Sequence, residues 1–268
     1  MRDRARQPLV LAYHAVTTEW RHPLAIDPGR LREQLHKLAA RGFRGATFTA
    51  AATGESSGRI AVITFDDGFR SAADHAVPIL DELGWPATVF TVTSTATNGA
   101  PMRWLTGEAF APDDALLPLG WSELLDLAAR GWEIGSHAAT HRLLSTLDDA
   151  DLEAEVRSSR DEIAERIGAC TSISYPWGEV DRRVVAAARA AGYVAGSGLA
   201  GRFRKGDPMA VPRFAVSGYD GRLRYRLKTS PMFWRLRSTP LWTWLDGLRH
   251  PSSPAEGRVV APDPLNGA

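Results

Sequence analysis

The chain has 268 residues, enough to bury a full core as one large α/β domain or two small ones. Its 44% hydrophobic and 24% charged residues exclude a disordered chain, and 32 basic residues against 31 acidic ones, a formal net charge of +1, leave no overall field that would draw nucleic acid. The single cysteine, Cys170, excludes an internal disulfide and a cysteine-based zinc site.

The first residues, Met1 to Pro8, are charged, and the short apolar run behind them leads straight into Tyr13 and His14. That pattern lacks the apolar core of an export signal, and no stretch approaches the length of a spanning helix, so the expected location is the cytoplasm. Residues 9–14 read as a short buried strand, and 28–41 as a helix with Leu31, Leu35 and Leu38 on one face. A strand over 60–65 precedes a helix over 70–83 and a strand over 87–92. Residues 94–118 carry Gly, Pro, Asn and paired Asp without a sustained period and read as a long loop. A helix over 121–130 has Ser122 as its cap and Glu123 near its positive end. A strand over 132–136, a charged amphipathic helix over 151–167 and a strand over 172–175 follow. The series closes with a helix over 180–191 and strands over 193–197 and 211–216. Cys170, between a helix pattern and a strand pattern, is expected to be a small packed thiol.

Strand and helix alternate throughout, which predicts a parallel sheet with helices packed outside it. Residues with chemistry fall repeatedly at the carboxyl ends of strands, which favours closure into a barrel. The expected fold is therefore α/β, with about seven parallel strands. The expected domain covers 8–218. Residues 219–250 form a basic, aromatic helical extension, and 251–268, rich in Pro, Ser, Gly and Ala, a disordered tail.

The strand over 60–65 ends in Asp66, Asp67 and Gly68. Alternation along a strand would aim the two carboxylates apart, and a turn at Gly68 is what could bring both to one pocket. His137 and His141, four residues apart after another strand, would share one side if a helical turn carried them. Two neutral imidazoles can hold a divalent ion, and Asp67 would complete a two-His, one-carboxylate site with positions open for water and substrate. The plain alternative is a solvated acidic turn and a chance histidine pair. Tyr175, Pro176, Trp177 and Gly178 mark a third strand end whose amides and aromatic face could line a substrate pocket, or which is simply a packed turn.

Taken in order, Thr64-Phe65-Asp66-Asp67-Gly68, His137-Ala138-Ala139-Thr140-His141 and Tyr175-Pro176-Trp177-Gly178 resemble the first three motifs of the polysaccharide deacetylases. These are the NodB-homology enzymes of carbohydrate esterase family four. Leu11-Ala12-Tyr13-His14-Ala15-Val16 is similar to a branch whose members begin with a Tyr-His strand. The resemblance covers roughly residues 8–216. It implies a distorted (β/α) barrel that hydrolyses acetamides, or sometimes acetate esters, on sugars. It also implies Asp66 as catalytic base, Asp67, His137 and His141 as metal ligands, and the Trp177 amide as an oxyanion donor. Zinc suits that ligand set, and cobalt, nickel, manganese or iron are also accommodated.

Two positions depart from the family's pattern. Ser174 stands where many relatives carry an arginine that orients the base, and no Leu-x-x-His motif follows to supply an acid. His250 is the sole histidine after His141. Arg213, on a late strand, is the candidate partner of Asp66, and His14 the candidate acid, since a barrel closes its first strand against its last. A surface ion pair and a packed core histidine are the respective alternatives.

Trp104 and Trp121 are candidate sugar platforms or core residues. Arg103 and Arg142 could meet an anionic group. In 222–249, basic residues interleave with tryptophans, which suits either a membrane interface or a cap on the barrel bottom. The expected function is a metal-dependent hydrolase that removes an N-acetyl group from an amino sugar of a glycan, or of a lipid-linked or small precursor. An O-acetyl esterase and a catalytically inactive carbohydrate-binding protein are its alternatives. The expected partner is an acetylated carbohydrate, not nucleic acid, and the sequence is silent on oligomeric state.

Overall fold

A computed structural model describes residues 7–102, 104, 113–199 and 207–230 of the chain. The elements run β1 (Leu9–Tyr13), β2 (Ala15–Val16), β3 (Ala25–Ile26), α1 (Pro28–Ala40), β4 (Arg44–Ala46), α2 (Phe48–Ala52), β5 (Ile60–Phe65), α3 (Arg70–Leu83) and β6 (Thr88–Thr91). They continue with α4 (Thr93–Asn98), α5 (Trp121–Ala129), β7 (Glu133–Ser136), α6 (Asp149–Ile167), β8 (Ser172–Ser174), α7 (Arg182–Ala191), β9 (Ala195–Leu199), β10 (Val211–Ala215) and α8 (Arg222–Lys228).

Seven strands form a closed ring in the order β1-β10-β9-β8-β7-β6-β5, and β5 returns to pair with β1. Every pairing is parallel. The first strand therefore lies between the last one and β5, with Leu11 opposite both Phe214 and Ile63. β4 stands outside the ring: it pairs with 60–62 at the start of β5, while β6 pairs with 64–65 further along. Both faces of the strands are covered, so β1 and β5 are buried at every residue and read as apolar runs rather than alternating ones. Each fully buried Val, Ile or Phe in such a strand contributes about 1.5–3 kcal/mol.

The helices start where carboxylates can hold their free amides. Asp27 accepts from Arg30 N–H at the head of α1, Asp148 from Asp151 N–H at α6 and Asp181 from Val184 N–H at α7. Leu31, Leu35 and Leu38 of α1 all reach the core. α6 thus begins two residues earlier than its apolar period suggests. At α5 the cap differs from the expected Ser122: the chain turns in at Gly120, whose N–H donates 2.7 Å to the Glu123 carboxylate.

The expected loop over 94–118 is only partly a loop. It holds α4 and a 3-10 turn at Asp113–Leu116 among its described residues. α4 has six residues and no side-chain cap, too short for a helical period to show. Of the extension over 219–250, α8 is described, with Leu223 and Leu227 exposed beside Arg222, Arg224 and Arg226. Residues 231–249 and the tail over 251–268 lie outside the described residues. Among the described residues no helix is long and apolar enough to cross a membrane.

Candidate metal centre

The residues singled out in the sequence gather at the carboxyl end of the ring. Asp66 N–H donates to Tyr13 O at the end of β1, and His137 N–H donates to Thr91 O at the end of β6. Tyr175 N–H, just past β8, donates to Ser197 O of β9. These bonds continue the strand ladders by one residue and fix where each loop departs.

Asp66 follows β5 at a bend. Asp67 and Gly68 both take left-handed backbone angles, φ 67° and 75°, so the turn begins one residue before the glycine. Gly68 is needed for space as well, since a Cβ there would lie 2.9 Å from Thr91 Oγ1. This turn swings the Asp67 carboxylate over the ring mouth, while Asp66 points back towards β10.

His137 and His141 meet without the expected helical turn. The segment between them is irregular, and Ala138 (φ 65°) and His141 (φ 61°) are both left-handed. Aspartate and histidine tolerate that region better than most residues. Held there, an alanine costs about 1–3 kcal/mol and needs its surroundings to hold it. The two rings are 4.9 Å apart, nearly edge to face.

Asp67 Oδ1 lies 3.5 Å from His137 Nε2 and 3.3 Å from His141 Nε2, and all three side chains are buried. Two ligand atoms roughly 2.0–2.1 Å from one tetrahedral ion stand roughly 3.3–3.4 Å apart, so the observed edges fit a shared cation. Asp67 Oδ1 accepts no hydrogen bond among the described residues, an expense for a buried carboxylate oxygen unless an ion meets it. His137 Nδ1 lies 2.7 Å from Ser174 O, which fixes its proton there and turns the Nε2 lone pair to the cluster. Burial pushes the His137 imidazole down to about 4, so it is the neutral ring a metal requires. Burial also opposes ionisation of Asp67, but neighbouring His141 outweighs it and holds the carboxyl below its ordinary range. The donor set thus fits a divalent ion.

Asp66 stays off this cluster. Arg213 grips it with two parallel bonds, Nη1 to Oδ1 at 2.6 Å and Nη2 to Oδ2 at 2.7 Å. Arg213 is 1% exposed and Asp66 5%. Burial favours the neutral acid, yet the guanidinium charge and its bonds win and hold the Asp66 carboxyl well below the usual carboxylate range. Arg213 also donates to Thr64 Oγ1 and Ser174 Oγ. Those two hydroxyls went unremarked in the sequence: Thr64 sits inside an apolar strand, and Ser174 registered only as a missing arginine. With Arg213 as the partner of Asp66, Ser174 is the small residue that leaves room for it and accepts one of its bonds.

His14 follows β1 and is partly buried. Its Nδ1 has no hydrogen-bond partner among the described residues. Trp104 stacks on His141, with ring centroids 4.4 Å apart and planes 11° apart. Trp177 lies edge-on to His141, donates Nε1–H to His141 O at 3.3 Å, takes φ 62° and is 41% exposed.

The other expected contact residues sit elsewhere. Tyr175 is fully buried and its hydroxyl donates to Met209 O, a fit that Gly196 permits because a Cβ there would be 2.5 Å from that hydroxyl. Its side chain is core, and Pro176 beside it is buried too. They shape the turn that presents Trp177 and offer no side-chain face to a ligand. Trp121 packs its ring under Arg166 and donates to Thr97 Oγ1, and exposed Arg142 pairs with Asp151. Arg103 lies outside the described residues. Cys170 is buried, as expected of a packed thiol.

The sequence model of the family described as polysaccharide deacetylase matches residues 53–196, more than half of the 268-residue chain. YxkH of Bacillus subtilis strain 168, a protein named for polysaccharide deacetylases, is 24% identical over 193 residues. The alignment takes in 70% of this chain and 62% of YxkH, so the chain spans less than two thirds of that relative. The Streptococcus pyogenes deacetylase PplD, solved with acetate, shares the fold at a TM-score of 0.69 and 16% identity, over 85% of this chain and all of PplD. A de-N-acetylase from Aggregatibacter actinomycetemcomitans does so at 0.67 and 20% identity, over 82% of this chain and 99% of its own. The barrel, the carboxylate pair and the histidine pair come together with a family match over most of the ring, and the chain belongs to the polysaccharide deacetylase family.

Proposed function

We propose that this protein is a metal-dependent hydrolase that removes the N-acetyl group from an amino sugar of a glycan or of a small or lipid-linked glycan precursor. One observation carries the reading: Asp67, His137 and His141 converge as a ligand set, while adjacent Asp66 is kept ionised and off that set by Arg213. An acetamide is a poor electrophile and water a poor nucleophile. Asp67, His137 and His141 would hold a divalent ion such as zinc, which would polarise the carbonyl and make water more acidic.

The chain's own groups divide the remaining work. Asp66 accepts the proton of the attacking water as the new C–O bond forms, and Arg213 keeps that carboxylate charged and aimed. The N–H of Trp177 donates to the oxyanion, a contribution whose loss typically costs about 10² to 10³ in rate. His14 delivers a proton to the departing nitrogen as the C–N bond breaks, leaving acetate and a free amine. Trp177, half exposed beside the cluster, and Trp104, stacked on His141, offer aromatic surface to a sugar ring. The Aggregatibacter de-N-acetylase, built on the same barrel, is the precedent for an amide rather than an ester substrate.

The test is acetate release from N-acetylated and O-acetylated amino sugars, as oligomers and as lipid-linked monomers, in zinc- and cobalt-loaded protein. Release from the amide that disappears in Asp66→Asn is the expected result. Release from esters alone would move the reading to an esterase. Sugar binding with no release from either would make the protein a binder.

A further inference from the structure

The loop that carries the two histidines is fastened from outside by one carboxylate. Glu155, in the middle of α6, is buried, and its Oε2 accepts the consecutive amides of Ala139 (3.0 Å) and Thr140 (2.9 Å). Its Oε1 accepts from Thr140 Oγ1. It makes no ion pair among the described residues, so the three donors are what satisfies this charge there. On the opposite side, Ala138 O and Ala139 O accept the first amides of α4, from Thr93 and Ser94. α6 itself is fixed independently through Leu152, Val156 and Ile163 in the core, while Ser159 of α6 also meets Ser136, whose hydroxyl accepts the Ala138 N–H at the start of the loop.

The two ligands on this loop are held in different ways. The His137 ring is oriented by its own bond to Ser174 O, the usual arrangement for a metal-binding imidazole. The His141 ring has no such bond: Nδ1 is buried and unpartnered among the described residues, and the ring only rests between Trp104 and Trp177. Its aim therefore depends on where the backbone leading into the left-handed His141 is placed: Trp177 Nε1–H holds the His141 carbonyl, and Glu155 grips the two amides just before it, at Ala139 and Thr140.

We propose that Glu155 is the positioning residue of the metal site, the group that sets His141 through the backbone in place of a hydrogen bond to its ring. The inference rests on the metal-binding reading of Asp67, His137 and His141. It predicts that the affinity for zinc, and not merely the stability of the fold, depends on an acceptor at position 155.

Zinc affinity is measured by competition with a chromogenic chelator on purified full-length protein, with thermal unfolding of the metal-free protein alongside. Glu155→Ala is expected to weaken zinc binding by about 10- to 100-fold, the usual range when a ligand loses its support. Glu155→Gln, which keeps a carbonyl oxygen for both amides and an NH2 that Thr140 Oγ1 can accept, should stay within about threefold of wild type. Val156→Ala, one residue along α6 and buried in the core, controls for lost stability and should leave affinity unchanged. Wild-type affinity in Glu155→Ala overturns the proposal, as does an equal loss in Val156→Ala and Glu155→Ala. Absence of zinc binding in the wild-type protein would overturn the metal reading itself, and this inference with it.

Discussion

Arg213→Met removes the cation from a buried pair and leaves the Asp66 carboxylate among apolar and hydroxyl neighbours. Both groups are almost wholly inaccessible, and the pair makes two parallel charge-assisted bonds, so solvent cannot take over the lost partner. Breaking such a pair from one side costs about 3–5 kcal/mol, nearly all of it the penalty of a stranded charge. For a domain of this size that is a drop in Tm of roughly 6–20 °C. Adding Asp66→Asn to Arg213→Met removes the stranded charge and should restore at least about 2 kcal/mol, although the double variant lacks the proposed base. The pH dependence has a definite sign. In the wild-type protein the Asp66 carboxyl sits below its unfolded value of 3.8, so its contribution is complete at neutral pH and is lost only as pH falls beneath that value towards the folded one. In Arg213→Met the guanidinium no longer opposes burial, so the folded acid takes up its proton nearer neutrality than the unfolded one, and part of the stability lost at neutral pH returns as pH falls. Urea unfolding of metal-free wild type, single and double variants, followed by tryptophan fluorescence across pH, reads all three effects. A loss below about 1 kcal/mol in Arg213→Met, or a double variant no more stable than the single one, would refute the account of the pair.

Removing metal with a chelator should abolish acetate release and lower Tm by roughly 5–11 °C relative to protein held at one hundred times the zinc Kd, and added zinc or cobalt should restore both. His14→Ala should cut kcat by about 10²-fold or more while elemental analysis finds unchanged metal content. Cys170, whose thiol burial pushes up to about 12, should resist alkylation in the native protein at pH 8 and react at once in urea. Because its ordinary value is 9.0, its contribution to stability is full below that pH and fades as pH climbs towards 12, which alkaline unfolding of Cys170→Ala against wild type would show.

The ring was legible wherever a strand is buried on both faces and bounded by turn residues. Ile60–Phe65 and the following helix Arg70–Leu83 stand where their apolar runs put them. The clustering of Asp67, His137 and His141 beside Asp66 was legible for a related reason: strand ends are where a barrel gathers polar side chains, and acids and histidines are conspicuous there. Short elements were invisible, since the three residues of Arg44–Ala46 and the six of Thr93–Asn98 complete no period. Backbone conformation misled at the histidines, because a spacing of four is equally served by a helical turn and by two left-handed residues. Tyr175 was misplaced because a tyrosine beside a catalytic motif looks the same whether its hydroxyl meets a ligand or, as here, a carbonyl across the core. Glu155 could not be noticed at all, being one of many acids on a charged helix, with its partners sixteen and fifteen residues upstream.

The shared edge of β5 bears on what could pass through the ring. With β4 and β6 taking successive stretches of that edge, the ring is wedged open at its base, and the wedge is filled: Phe48 N–H donates to Thr88 Oγ1, while Thr49 and Ser172 donate to the Glu133 carboxylate. The barrel is a cul-de-sac rather than a tunnel. On the proposed function, a long glycan would lie across the rim rather than thread through the ring, and water and acetate would share one opening.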